Sequence, residues 1–191
     1  MKLDFKKELN LWGVYFLTIF LSIYVHELGH CIPVWVKGIG AIPTPAKEYI
    51  LQTIPEALQQ QVSLGGILGT VLVTLGIMVL YGLKKFRYDA AVLAGVLAMP
   101  GMYTLRFMVV GRGHDATEFQ EAQAALGAAY SGHFIDWLFL ALFVAGTALW
   151  VLKAQPQLRI AGRLLIGFVL TVLFVIAHQV VNNAVFDPMF L

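Results

Sequence analysis

The stretch Leu11–Val36 reads LWGVYFLTIFLSIYVHELGHCIPVWV and decides which kind of fold the chain adopts. It is long enough to cross a bilayer, whose hydrocarbon core needs about 20 apolar residues per helix. Four further stretches meet the same criterion, at residues 62–83, 90–110, 134–152 and 160–181. The sequence therefore predicts an all-α, polytopic membrane helix bundle with about five transmembrane spans, forming a single membrane-embedded domain over residues 1–191.

The composition favours a membrane protein over the other classes. Of the 191 residues, 59% are hydrophobic and only 13% are charged, whereas a soluble domain carries about 25% charged residues. The mean hydropathy is +0.78. These values exclude a soluble enzyme and a disordered chain, and the single cysteine, Cys31, excludes an intrachain disulfide framework. The net charge of +2 gives no indication of a nucleic-acid partner.

The N-terminal residues and the distribution of basic residues indicate the orientation. No small-residue cleavage site follows the first apolar run, so we interpret it as a retained span and not as a signal peptide. Nine basic residues lie on one side of the membrane, before the first span, between the second and third spans, and at the connection of the fourth to the fifth: Lys2, Lys6, Lys7, Lys84, Lys85, Arg87, Lys153, Arg159 and Arg163. Three lie at the opposite ends: Lys37, Lys47 and Arg112. Because basic residues concentrate on the cytoplasmic side, we expect a multi-pass protein of a prokaryotic cell membrane with a cytoplasmic N-terminus.

The most informative motif is HELGH at residues 26–30 of the first span. Residues four apart lie on one face of a helix, so His26 and His30 can bind one metal ion. Glu27 projects from nearly the same side and can accept a proton from a water whose pKa zinc lowers towards about 7. Burying three ionisable groups in a span is costly, and such groups usually mark a functional site. The alternative is a pair of histidines that only bridge neighbouring helices.

A catalytic zinc site usually has three protein ligands, and the remaining donors lie just past the third span. They are His114, Asp115 and Glu118. The first and third spans cross the membrane in the same direction, so these donors and the histidine pair approach the same membrane face. Gly111 and Gly113 would let the chain bend back towards the metal.

Other polar residues occur at a similar depth. The C-terminal part of the fifth span carries four of them: His178, Gln179, Asn182 and Asn183. They predict either part of an active site or hydrogen bonds between helices. Arg106 lies in the third span, where we expect an ion pair with a carboxylate; the alternative is that it holds a substrate carbonyl oxygen.

The long connection at residues 38–61 contains apolar residues at near-helical spacing: Ile50, Leu51, Ile54 and Leu58. This spacing predicts a short amphipathic helix at the membrane interface. Within the following span, the spacing of Gly65 and Gly69 is typical of closely packed membrane helices, and Gly66 lies between them.

These features resemble the site-2 protease family of intramembrane zinc metalloproteases. The resemblance rests on Tyr24–Gly38, YVHELGHCIPVWVKG, and to a lesser degree on the glycine-rich Ser63–Thr70, SLGGILGT. It implies zinc ligation by the two motif histidines and by an aspartate near the end of a later span, which by position is Asp115. The family's usual Asn-x-x-Pro-x-x-x-x-Asp-Gly pattern is missing there, so His114 and Glu118 remain the alternatives for the third ligand.

The resemblance also implies a function. Substrates would be membrane-spanning proteins or peptides, cut in or near the bilayer with Zn²⁺ as the cofactor and Glu27 as general base and then general acid. Substrate helices must unwind locally, and in the family an extended loop after the zinc-binding span pairs with the unwound segment. Residues 38–61 are the candidate loop. Two alternatives are a zinc-dependent membrane hydrolase of a lipid or another amide, and a non-catalytic metal-binding transporter or sensor. The oligomeric state is not predicted.

Overall fold

The computed structural model describes residues 5–83, 89–128, 132–153 and 160–190. Its elements, in chain order, are α1 Phe5–Val36, β1 Ala41–Pro43, β2 Glu48–Ile50, α2 Glu56–Gly82, α3 Asp89–Val96, a π-helical turn Leu97–Gly101, α4 Met102–Val110, α5 His114–Ala125, α6 His133–Lys153, α7 Ile160–Val181, a second π-helical turn Asn182–Phe186 and α8 Asp187–Phe190. Five helical stretches within the described residues are long and apolar enough to cross a membrane: Phe5–Val36, Glu56–Gly82, Asp89–Val110, His133–Lys153 and Ala161–Phe190. The predicted all-α bundle of a multi-pass membrane protein is confirmed.

The helix ends differ from the apolar runs that predicted them. α1 begins at Phe5 and α2 begins at Glu56, each six residues before the predicted span. Helices can extend through polar residues once they reach the interface, so an apolar run marks only the part inside the hydrocarbon core. The third span contains a π-helical turn at Pro100, because proline lacks the N–H of a regular helical hydrogen bond and its ring crowds the preceding turn.

The connection between the first two spans forms a β-hairpin, so the predicted amphipathic helix is wrong. The two strands pair antiparallel with Ala41 opposite Ile50. Leu58, one of the residues that suggested a separate helix, belongs to the first turns of α2. Pro43 and Pro45 explain the difference, because proline removes a helical hydrogen bond and favours extended backbone in the residue before it.

The first two spans pack with their backbones in close contact through glycines. A β-carbon added at Gly29 of α1 would overlap the carbonyl oxygen of Gly65 in α2, and one added at Gly65 would overlap that of Gly29. A β-carbon at Gly69 would lie 2.8 Å from the carbonyl oxygen of Val25. This contact holds the histidine-bearing part of α1 directly against α2.

Polar contacts far from the histidine-bearing part of α1 show which helix ends lie together at the other end of the bundle. Arg163 near the start of α7 forms an ion pair with Glu8 near the start of α1, with 3.1 Å between Nη2 and Oε1. Lys153 at the end of α6 donates a hydrogen bond to the carbonyl oxygen of Gly82 at the end of α2 (2.7 Å). The hairpin and α5 therefore belong to the end of the bundle opposite these contacts.

Five of the basic residues that predict the orientation lie outside the described residues: Lys2, Lys84, Lys85, Arg87 and Arg159.

Candidate metal centre

The histidine pair lies in the middle of the interface between α1 and α2. His26 and His30 are each 4% exposed and Glu27 is 7% exposed. The imidazole of His30 lies against Gly66 of α2, where any side chain would overlap its Nε2 atom. A glycine at this position is therefore what makes room for the ring.

Hydrogen bonds to α2 orient both imidazoles. His30 Nδ1 donates to the carbonyl oxygen of Val62 (2.8 Å), so in the neutral ring Nε2 carries the free lone pair. His26 Nδ1 lies 2.9 Å from Thr70 Oγ1, so a hydrogen bond to α2 holds this ring as well. As a result the two Nε2 atoms face each other across 3.0 Å. Such outer hydrogen bonds typically fix the tautomer and orientation of histidines that bind metals.

Asp115 reaches the same point from α5. The chain turns at Gly111, the left-handed C-cap of α4 (φ +84°), and α5 begins three residues later. Asp115 is 5% exposed, and its Oδ2 lies 3.2 Å from His26 Nε2. Among the described residues, no group makes a hydrogen bond to this buried oxygen. A buried carboxylate oxygen that accepts no hydrogen bond is costly, and a cation at this point would satisfy it.

The donor set fits zinc. His26 Nε2, His30 Nε2 and Asp115 Oδ2 belong to one group whose ligand atoms lie within 4.8 Å of one another. The separations of 3.0 and 3.2 Å are close to the roughly 3.3 Å between two ligands of a tetrahedral ion with bonds of about 2.0–2.1 Å. Two neutral imidazoles and one carboxylate are also ligand types that zinc accepts in catalytic sites.

The two alternative third ligands lie outside this group. The side chain of His114 is 60% exposed and forms an ion pair with Glu118, with 3.1 Å between Nδ1 and Oε1. Burial raises the pKa of Asp115 to about 6, while the neighbouring His30 opposes that shift. A divalent cation beside the carboxyl group would favour its ionised form. Of the three candidates, only Asp115 lies with both motif histidines.

Sequence reasoning missed a carboxylate that the hairpin brings to the centre. Glu48 of β2 lies close to Glu27 and His30, with donor atoms of all three residues within 4.8 Å of one another. Nothing in the sequence around Glu48 distinguishes it from a surface glutamate. Its position follows from the hairpin register, in which it pairs with Pro43.

The polar residues of the fifth span contact the hairpin and one another. Asn182 is buried, donates to Tyr49 Oη (2.8 Å) and accepts from Thr44 Oγ1 (2.9 Å). His178 Nδ1 donates to the carbonyl oxygen of Phe174 (3.0 Å), one turn earlier on its own helix. Gln179 Nε2 donates to Asn183 Oδ1 (2.9 Å). Of the two interpretations of this cluster, hydrogen bonds between elements are therefore found for Asn182, whereas the bonds of His178 and Gln179 stay within the fifth span.

The expected ion pair of Arg106 is not found. Its side chain is exposed on α4, and no carboxylate within the described parts of the chain forms an ion pair with it.

The centre as a whole combines two imidazoles, one carboxylate and a buried glutamate beside them, at the hairpin end of the bundle. This arrangement can bind a divalent cation and hold a general base next to it. Comparison with models of protein families, with curated proteins and with solved structures finds no match to this chain.

Proposed function

We propose that this chain is an intramembrane zinc metalloprotease of the site-2 protease type, which hydrolyses peptide bonds of membrane-spanning substrates. The observation that carries the proposal is the convergence of His26 Nε2, His30 Nε2 and Asp115 Oδ2 at one buried point, with Glu27 beside them. Zinc bound there would act as a Lewis acid and lower the pKa of a coordinated water towards about 7.

Glu27 is the residue proposed to move the proton. Its carboxylate accepts a proton as the water oxygen bonds to the peptide carbonyl carbon, and it returns that proton to the amide nitrogen as the C–N bond breaks. The products are a new carboxyl terminus and a new amine. Glu27 suits this role because it is 7% exposed and lies next to His30 with donor atoms within 4.8 Å.

The hairpin is the proposed binding surface for unwound substrate. Hydrogen bonds between Thr44 and Lys47 and between Gly40 and Leu51 set the register. In an antiparallel ladder the alternate residues, here Glu48 and Ile50 on β2, direct their main-chain N–H and C=O groups away from the partner strand. None of the described residues bonds to these groups, and an extended peptide can pair with such an edge.

The outer edge of β1 is less suited to this role. Pro43 has no N–H to donate, and the carbonyl oxygen of Ala41 already accepts a hydrogen bond from Trp35 Nε1 (3.0 Å). We therefore propose β2 as the strand that binds substrate, which would bring the peptide past Glu48 towards Glu27.

The location proposed for the chain is a prokaryotic cell membrane, with the N-terminus in the cytoplasm. The charge distribution supports this orientation, which places the hairpin and the metal centre nearer to the opposite face. Within that membrane, lipid surrounds the spans and membrane proteins are the available substrates.

The variant Glu27→Gln tests the proposed chemistry. Purified wild-type and variant protein are reconstituted in liposomes with extracted membrane proteins, and new peptide N-termini are identified by mass spectrometry. We expect the variant to keep its zinc and to lose about 10²–10⁴-fold in cleavage rate, as for removal of a general base.

Glu56→Gln is the matched control, because it makes the same chemical change at an exposed glutamate in the first turn of α2. Normal cleavage by Glu27→Gln would contradict the proposed role of this residue. Hydrolysed lipid without new peptide termini would instead support the lipid hydrolase. Zinc binding without any product from wild-type protein would support the non-catalytic alternative.

A further inference from the structure

The helix that carries Asp115 is held at its N-terminus by two other helices. The first N–H groups of a helix have no partners within that helix, and a preceding Ser, Thr, Asn or Asp commonly supplies one. α5 is preceded by Gly113, which has no side chain to do so. Its N-terminal hydrogen bonds are made instead by side chains from α4 and α6.

Asp136, in the first turn of α6, supplies the first of these bonds. Its Oδ1 accepts from the N–H of Gly113 (2.8 Å), and the residue is 1% exposed. Its Oδ2 has no hydrogen bond from any described residue and lies 3.5 Å from Nδ1 of His133. Burying a carboxylate this deeply is costly and usually indicates a functional role. The role indicated here is its hydrogen bond to the backbone just before Asp115.

Tyr103 supplies the second bond. Its hydroxyl oxygen accepts from the N–H of Ala116 (2.7 Å), and its ring stacks on Phe139 of α6 with 4.1 Å between centroids. A β-carbon at Gly113 would overlap this ring. The backbone is thus held both two residues before Asp115 and one residue after it.

We propose that Asp136 is a positioning residue for the metal: by holding the Gly113 N–H, it fixes the start of α5 so that Asp115 Oδ2 faces the two histidine Nε2 atoms. This inference rests on the proposed zinc site. Asp136 does not touch the reacting atoms, and it acts through the backbone of Asp115. Contacts that orient metal ligands in this way typically change metal affinity by 10–100-fold.

The test compares zinc affinity in detergent-purified wild type, Asp136→Ala and Asp136→Asn, measured by competition with a chromophoric chelator. We expect Asp136→Ala to weaken zinc binding about 10–100-fold. Asp136→Asn retains an oxygen that can accept from Gly113 and should restore most of the affinity. The visible absorption bands of bound Co²⁺ should shift in Asp136→Ala, since they depend on ligand geometry and not on fold stability.

Thr171→Ala is the control for a general loss of stability. It removes a buried hydrogen-bond partner of Tyr15 without touching α5, and it should leave zinc affinity and the Co²⁺ spectrum unchanged. If Asp136→Ala does not fold, Asp136→Ser replaces it, because its hydroxyl is one bond shorter and leaves the Gly113 N–H without its partner.

The possible failures are distinguishable. A wild-type protein that binds no zinc would overturn the proposed function and this inference with it. A wild-type protein that binds zinc, with alanine or serine variants of the same affinity and the same Co²⁺ spectrum, would overturn the role of Asp136 alone.

Discussion

Among the single residues of the centre, Gly66 shows most directly how α2 shapes the candidate metal site. The imidazole of His30 occupies the space that a side chain would fill, and the same ring donates to the carbonyl oxygen of Val62 one turn earlier on α2. A methyl group at Gly66 would have to displace either the ring or the backbone contact between α1 and α2. Both changes would move Nε2 of His30 away from Asp115 and His26.

We therefore predict that Gly66→Ala reduces zinc affinity by at least about tenfold, as for other changes that disturb ligand orientation. Gly76→Ala is the matched control on the same helix, because a β-carbon there meets nothing within 4 Å. The measurement is zinc affinity in detergent for both variants. Wild-type affinity in Gly66→Ala would show that His30 does not bind from the position described.

The residues of the centre differ in how far the sequence could predict them. His26, Glu27 and His30 lie within five residues, so helical spacing alone brings them together. Predicting Asp115 required the direction in which the first and third spans cross the membrane. That direction places His114, Asp115 and Glu118 at the same membrane face as the histidine pair, but it does not choose among these three donors. Glu48, Thr70, Tyr103 and Asp136 depend on hairpin register and helix packing, and no local pattern indicates them.

At the scale of elements, the hairpin is where sequence periodicity gave a wrong prediction, because it indicated an amphipathic helix in residues 38–61 and the chain forms two strands there. Apolar residues at near-helical spacing also occur when a strand, a turn and the start of a helix follow each other, as they do from Ile50 to Leu58. The long spans could be predicted, because a run of about 20 apolar residues is the length that a helix needs to cross a bilayer. Their ends were not, because helices continue through polar residues at the interface.

The free edge of β2 gives a prediction for substrate binding. Ile50→Pro removes an N–H that points away from β1, and proline is tolerated on an edge strand. Losing one hydrogen bond to substrate costs about 1 kcal/mol, which raises KM about fivefold. Zinc affinity should stay unchanged, because the proposed metal ligands lie on α1 and α5.

KM is measured for a synthetic peptide that spans a cleavage site identified from the products, with Ile50→Val as the control that keeps the N–H. An unchanged KM in Ile50→Pro would exclude this edge as the substrate-binding strand.

At the scale of the whole molecule, alternating spans place the hairpin, α5 and the histidine pair towards one membrane face. His30 lies six residues before the end of α1, which is about 9 Å along a helix. The candidate centre therefore lies near the hairpin end of α1 and not at the middle of this helix. The charge distribution predicts that the membrane face at this end is the one away from the cytoplasm.

Cysteine labelling tests that orientation in intact bacterial cells. Ala125→Cys lies on an exposed position at the end of α5, and Leu83→Cys lies on an exposed position at the opposite end of the bundle. We expect a membrane-impermeant maleimide to label Ala125→Cys directly and Leu83→Cys only after the cells are permeabilised. The native Cys31 is fully buried and gives the background. The reverse pattern would place the centre at the cytoplasmic face.

The most direct test of the central claim is the metal content of the purified protein. Elemental mass spectrometry is applied to the wild type, to Asp115→Ala and, as a neighbouring control, to His114→Ala. We predict about one zinc per chain in the wild type and in His114→Ala, and its loss in Asp115→Ala, because a catalytic zinc site takes three protein ligands. Zinc retained in Asp115→Ala would contradict the assigned third ligand. No zinc in the wild type, even after zinc is added back, would contradict the metal centre and the protease proposal with it.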